Sequence, residues 1–237
     1  MVAAGLSWSR TMKRIEMIIY AVVIAILNLP LLWGGFAESM TLLPKEILAG
    51  QWWRILTHPF VHVSWYHLLL DGAAFFILYA QLSERHFLRR LAYVAAPALG
   101  SMTAAMISLR GSGAYGYCGL SGLGHGLMAV CALELISGAK DDKTARTAGL
   151  VSLVLVACKS VLEAATGRMF LAFLHPDLLG IPIAVSHLGG VLAGCAIWLL
   201  LNAKGMAGCV ANPATMRQAC PSPVRRPFQR HSPGPAA

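Results

Sequence analysis

The sequence predicts an all-α membrane protein: a six-transmembrane-helix bundle with its N-terminus and C-terminus cytoplasmic. Three observations carry this. The chain of 237 residues is 57% hydrophobic and only 12% charged, with a mean hydropathy of +0.64. Soluble domains are about 45–50% apolar and about 25% charged. Six apolar runs each approach the about 17–25 residues that cross a bilayer as a helix. Basic residues crowd alternate connections between those runs. The same numbers exclude a disordered chain and a coiled coil. A net charge of +9 would suggest a nucleic acid as partner for a soluble protein. Here the charges flank apolar runs, so membrane lipids are the expected partner and no nucleic acid is.

The first run, 17–36, follows the basic residues Arg10, Lys13 and Arg14. It is longer than a signal-peptide core and no A-x-A site follows it. It reads as a retained span behind a cytoplasmic segment, 1–16. The second run is 64–82 and the third, with Pro97 and Gly100, is 88–108. The fourth is 119–137, the fifth 148–167 and the sixth 183–202, which makes 17–202 one membrane domain. Residues 203–237, rich in Pro, Ser and Arg, read as a disordered basic cytoplasmic tail.

Orientation follows from the positive-inside bias. With the N-terminus inside, fourteen of the nineteen Lys and Arg residues fall on the cytoplasmic side. Lys45, Arg54, Arg110 and Arg168 fall outside, and Lys159 falls within a span. The long first outer loop, about 37–63, and its edges carry Trp52, Trp53 and Trp65, which suit the membrane interface. The six cysteines form no CxxC pair. Four lie in or beside apolar runs, where Cys acts as a small hydrophobe. Neither a disulfide framework nor a zinc cluster is expected.

Ionisable groups inside spans are costly and mark function. His67 and Asp71 are one turn apart on the second span, and Ser121 and His125 one turn apart on the fourth. Lys159 and Glu163 share a face of the fifth and can pair. His187 lies on the sixth. Spans two, four and six run the same way across the membrane, so His67, Asp71, Ser121 and His187 fall at a similar depth toward the outer face. Gly190 and Gly194 on the sixth span form a small-xxx-small face that permits close helix contact. That contact could set His187 beside Ser121, with the imidazole as general base for the hydroxyl.

Each of these residues also has a plainer reading. Serine and glycine pack membrane helices, and a buried histidine can simply bond a backbone carbonyl. A soluble-type nucleophile elbow needs a strand before its serine, and none precedes Ser121. Backbone N–H groups at a helix start could instead hold an oxyanion there. Histidines 58, 62, 67 and 125 offer a competing metal reading, but the spacing of the first three is not that of an HExxH helix. No metal and no cofactor is expected.

Three ordered motifs resemble those of the rhomboid family of intramembrane serine proteases. The first is Trp53-Arg54-x-x-x-His58-x-x-x-His62-x-x-x-x-His67-x-x-x-Asp71, in which rhomboids normally end on Asn. The second is Gly119-Leu120-Ser121-Gly122, and the third His187-x-x-Gly190-x-x-x-Gly194. The resemblance covers about residues 15–202 and implies a rhomboid-like bundle with a cavity open to the outer side. It implies a Ser-His dyad in which Ser121 is the nucleophile and His187 the base. His67 and the Ser121 N–H would line the oxyanion hole. Asp71 would contribute to that region or orient His67, and the Trp53-Arg54 loop would shape lateral access. His125 stands where rhomboids usually carry a Tyr that stacks on the base.

The short core, the run Gly-Leu-Ser-Gly-x-x-His-Gly at 119–126 and the Lys159/Glu163 pair resemble the rhombosortase branch. That resemblance implies transmembrane substrates with a C-terminal Gly-Gly anchor segment, cut at the periplasmic face of a bacterial inner membrane. Water or a lipid-derived amine would be the second acceptor. Two other classes stay open on sequence alone: an inactive adaptor that binds client helices, and a small transporter lined by Lys159 and Glu163.

Overall fold

The computed structural model describes residues 2–108, 116–170 and 183–211. The chain divides into two units, Met1–Leu201 and Asn202–Ala237. Among the described residues six long helices dominate: α1 (Val2–Leu27), α4 (Trp65–Gln81), α5 (Phe87–Ser108), α6 (Ser121–Gly138), α7 (Lys143–Thr166) and α8 (Val185–Ala211). Two short helices, α2 (Pro44–Leu48) and α3 (Arg54–Thr57), lie in the loop between α1 and α4. Among the described residues there is no strand, only an isolated antiparallel bridge between Leu42 and Tyr117.

Among the described residues five segments are long and apolar enough to cross a membrane, or six if α4 and the bent Arg54–Phe60 piece before it count as one span. Leucines, isoleucines and valines on their outer faces are exposed, among them Ile18 and Ile19 on α1, Leu69 on α4 and Leu155 on α7. A water-soluble protein does not carry apolar surface on that scale. Lipid covers it, so the chain is an integral membrane protein.

Boundaries differ from the sequence expectation where polar residues find partners. The helix of the first span starts at Val2, not Met17. Lys13 Nζ donates to the Ala80 and Leu82 carbonyls at 2.7 and 2.6 Å, satisfying carbonyls at the end of α4. The α-helix ends at Leu27, and a 3-10 turn over Leu29–Trp33 follows, with Pro30 in its first turn. α7 starts at Lys143 because the Asp142 side chain caps it, accepting from Ala145 N at 3.0 Å. α8 runs to Ala211, into the predicted tail; the rest of that tail lies outside the described residues, as does 109–115.

α6 is the central helix. It is apolar on nearly every side, the pattern of a helix surrounded by others. Leu123, Leu127, Ala129 and Val130 are buried, and with Phe75, Tyr79, Tyr93 and Trp198 most of them form the main core. Against α5 and α8 it packs through glycines. A Cβ at Gly190 would overlap the Gly122 carbonyl, one at Gly194 the Gly126 carbonyl, and one at Gly100 the Gly189 carbonyl. Small-xxx-small faces let membrane helices approach backbone to backbone. The predicted contact between spans four and six therefore exists, and α5 joins it.

Away from the α6 N-terminus, α1, α4 and α5 are tied together by charge. Arg90 is fully buried. Its Nε donates to Glu16 Oε2 at 2.8 Å and its Nη2 to Glu16 Oε1, while the Tyr79 hydroxyl donates to the same carboxylate. Arg90 Nη1 also donates to the Arg85 carbonyl at 2.6 Å. Removing one partner of such a pair leaves an uncompensated buried charge. Arg90→Met is expected to lower stability by about 3–5 kcal/mol. Glu16→Gln/Arg90→Met is expected to lose less than Arg90→Met alone, as read by unfolding in mixed micelles.

Candidate active site

The loop between α1 and α4 is a scaffold. Arg54 is buried and donates through Nη1 to the Glu38 and Thr41 carbonyls at 2.8 and 2.7 Å, and through Nε to Gln51 Oε1 at 2.9 Å. Trp53 Nε1 donates to the Ser39 carbonyl at 3.2 Å. His58 Nδ1 donates toward the Arg54 carbonyl at 3.0 Å, so this histidine braces backbone. Sequence reasoning missed Asn28, whose Oδ1 accepts from His62 N at 2.8 Å and whose Nδ2 donates to the Ile24 and Phe60 carbonyls.

The scaffold positions the segment that leads into α6. Leu42 and Tyr117 exchange backbone bonds of 2.8 and 3.0 Å, and Gly119 N donates to the His58 carbonyl at 3.0 Å. Gly119 has φ +101, a left-handed conformation, and a Cβ there would strike His67 and Asp71. Only glycine fits both demands. Ser121 is then the first residue of α6, where the backbone N–H has no acceptor within the helix.

His67 is set by the start of α4, where the Ser64 hydroxyl caps the helix by accepting from His67 N at 3.2 Å. Its Nε2 lies 3.1 Å from Asp71 Oδ2, and His62 Nε2 lies 3.7 Å from the same oxygen. The His62 and His67 rings meet edge to face at 4.9 Å. These side chains are buried, and His67 Nδ1 and Asp71 Oδ2 have no hydrogen-bond partner of proper geometry. A buried polar cluster thus touches the Gly119 backbone, two residues before Ser121.

The close contact of Gly190 and Gly194 with α6 brings His187 beside Ser121. Ser121 Oγ lies 3.2 Å from His187 Nε2. His187 Nδ1 lies 2.6 Å from Glu163 Oε2 on α7. The other oxygen of Glu163 accepts from Lys159 Nζ at 2.8 Å and from Phe170 N at 2.8 Å. Lys159 Nζ also donates to His125 Nε2 at 2.9 Å, and His125 Nδ1 donates to the Ser121 carbonyl at 2.7 Å. The His125 and His187 rings stack, 3.9 Å apart and 9° from parallel.

The model of the rhomboid domain matches residues 49–204. The chain belongs to the rhomboid family. Members of that family are typically intramembrane serine proteases. No curated protein and no solved structure matches the chain.

For this rhomboid, the sequence expectation of Lys159 pairing with Glu163 is met, but the pair is only half of what Glu163 does. Its bond to His187 was missed. The signal was available: α7 runs opposite to α6, so a residue near its C-terminal end shares the depth of Ser121. His58 and His62 do not join Ser121 and His187; they support the loop and the His67–Asp71 cluster. The metal reading changes place. His125, Glu163 and His187 put three ligand atoms within 4.8 Å of one another. Lys159 already bonds two of those three groups, so a metal cation would be set against an ammonium, and the donor set does not suit one. Cys118, Cys131, Cys158 and Cys195 are free thiols, as expected from their place among apolar helices.

Proposed function

We propose that the protein is an intramembrane serine protease that cuts the C-terminal membrane anchors of secreted or surface proteins. The observation that carries this is the Ser121 Oγ–His187 Nε2 contact of 3.2 Å at the start of a helix. The Ser121 hydroxyl donates its proton to Nε2 as Oγ bonds the scissile carbonyl carbon. The resulting oxyanion is met by the Ser121 N–H and by His67. Asp71, with Oδ2 3.1 Å from His67 Nε2, sets a carboxylate beside that ring. His187 then passes the proton to the leaving amine nitrogen, the C–N bond breaks, and an acyl-enzyme remains. Water or a lipid-derived amine gives a proton to His187 Nε2 as it bonds the acyl carbon; the acyl–Oγ bond then breaks and His187 returns the proton to Ser121 Oγ.

Peptide groups within lipid stay helical because an unpaired group costs several kcal/mol. Small residues such as a Gly-Gly pair lower the cost of opening a substrate helix, which fits an anchor of that kind as substrate. The site is read as facing the periplasm from a bacterial inner membrane. Lys159 and Glu163, the motive for a transporter, are bonded into the Ser121 site, which favours the enzyme.

The test is cleavage of a reporter carrying a Gly-Gly anchor by the protein in liposomes. Replacing the pair by Leu-Leu is expected to slow cleavage strongly; equal cleavage of both would remove the substrate class. Asp71→Ala is expected to slow cleavage by less than the about 10²–10³-fold that loss of an oxyanion donor costs. Asp71→Asn, which supplies the amide usual in rhomboids, is expected to fold and to change the rate. If both variants matched the wild type, Asp71 would have no part in the site.

A further inference from the structure

The Ser-His dyad leaves a buried carboxylate unexplained. Glu163 sits on α7, and its side chain is almost wholly buried among apolar helices. A charge there needs partners, and it has three: His187 Nδ1, Lys159 Nζ and Phe170 N. A pairing with Lys159 alone would satisfy a structural role. The contact with His187 does more, because it engages the ring nitrogen that faces away from Ser121.

We propose that Glu163 is a positioning residue that turns the Ser121–His187 pair into a Ser-His-Glu triad, with Lys159 fixing both Glu163 and the stacked His125. This rests on the protease reading given above.

The hydrogen-bond logic fixes each proton. A carboxylate only accepts, so His187 Nδ1 must carry hydrogen and Nε2 must offer its lone pair. That is the tautomer a general base needs toward Ser121. When Nε2 takes the serine proton, the imidazolium forms 2.6 Å from a carboxylate oxygen, which stabilises it where bulk water is scarce. Glu163 does not take the proton itself; the geometry asks only that it hold the ring and balance its charge.

Lys159 has the complementary task. Its ammonium only donates, so His125 Nε2 must accept, and the Ser121 carbonyl only accepts, so His125 Nδ1 must donate. Both conditions hold only for neutral His125. The ring stacked 3.9 Å from His187 is thereby kept uncharged, and no second cation opposes the imidazolium. A Tyr at that place needs no such device. His125 and Lys159 therefore make sense together, with the ammonium bridging the stacked ring and the carboxylate.

Two measurements on the full-length protein test this, and they fail separately. The first is the proton spectrum of protein labelled with ¹⁵N-histidine. A far-downfield Nδ1–H resonance, assigned by its loss in His187→Gln, is expected in the wild type and in Ser121→Ala. It is expected to persist in Lys159→Met and to vanish or move upfield in Glu163→Gln. Absence of that resonance from the wild type overturns the triad, whether or not any variant folds. The second is the rate at which a fluorophosphonate labels Ser121. Glu163→Gln is expected to slow it by up to about 10⁴-fold, the loss seen when the orienting acid of a triad is neutralised. Glu163→Asp, which keeps the charge, is expected to recover part of the loss. A Glu163→Gln protein that labels at the wild-type rate overturns the proposal. A wild type with the resonance but without labelling at Ser121 counts against the protease reading and leaves the contact standing.

Discussion

Ser121→Ala is expected to reduce cleavage of an anchored substrate by about 10⁶-fold, the scale on which serine hydrolases lose turnover with their nucleophile. His187→Ala is expected to cost a similar factor. The double variant should be no worse than either single one, because the two side chains act as a unit. That non-additivity is the informative part. A serine that merely packed between α6 and its neighbours would give small, independent effects, since Ser→Ala removes one oxygen and leaves the helix contact intact. Steady-state cleavage in liposomes, with expression and thermal unfolding of each variant as controls, checks the prediction. Losses that multiply in the double variant would separate the two residues.

Gly190→Ala is the second large expected effect, and it works through the backbone. A methyl group at Gly190 would overlap the Gly122 carbonyl. Backbone on both sides cannot move aside as a flexible side chain does. α6 and α8 must separate, at a cost of about 1–3 kcal/mol for overpacking. The site would suffer more than the fold. Ser121 precedes Gly122 by one residue and His187 precedes Gly190 by three, so a shift there opens the 3.2 Å contact directly. A misplacement of about 1 Å can cost about 10²-fold in rate. Gly124→Ala is the control. It lies on α6, the helix of Ser121 and Gly122, but a Cβ there meets nothing within 4 Å, and it is expected to leave both stability and cleavage nearly unchanged. Equal behaviour of the two variants would deny that helix approach sets the site.

The long helices were legible because lipid imposes a simple rule. A segment must bury its own backbone bonds and show apolar side chains outward. Runs such as 88–108 therefore match α5 to within a residue. The ends were less legible where charge finds a partner: Lys13 on the end of α4, and Asp142 at the α7 cap, extend helices past the apolar run. The loop before α4 could not be read in detail. Its short helices are held by Arg54 donating to the Glu38 and Thr41 carbonyls, and no periodicity signals such bonds.

In the site, helical spacing carried His67 with Asp71 and Lys159 with Glu163, since residues one turn apart share a face. Matched depth carried Ser121 with His187. The bond from Glu163 to His187 escaped because Lys159 already gave the carboxylate a partner on its own helix. The stacked pair His125 and His187 was expected only from the resemblance to rhomboids. Asn28 escaped altogether. It stands just past the end of α1, and its role depends on a loop more than thirty residues away.

The central claim is that the Ser121 hydroxyl is a nucleophile activated by His187. Peptide mapping by mass spectrometry, after the purified protein in a lipid bilayer meets a fluorophosphonate, tests it most directly. One adduct is expected, on Ser121, which disappears in His187→Ala although that variant stays folded. An adduct confined to another side chain, or one on Ser121 that survives loss of His187 at the same rate, would contradict it.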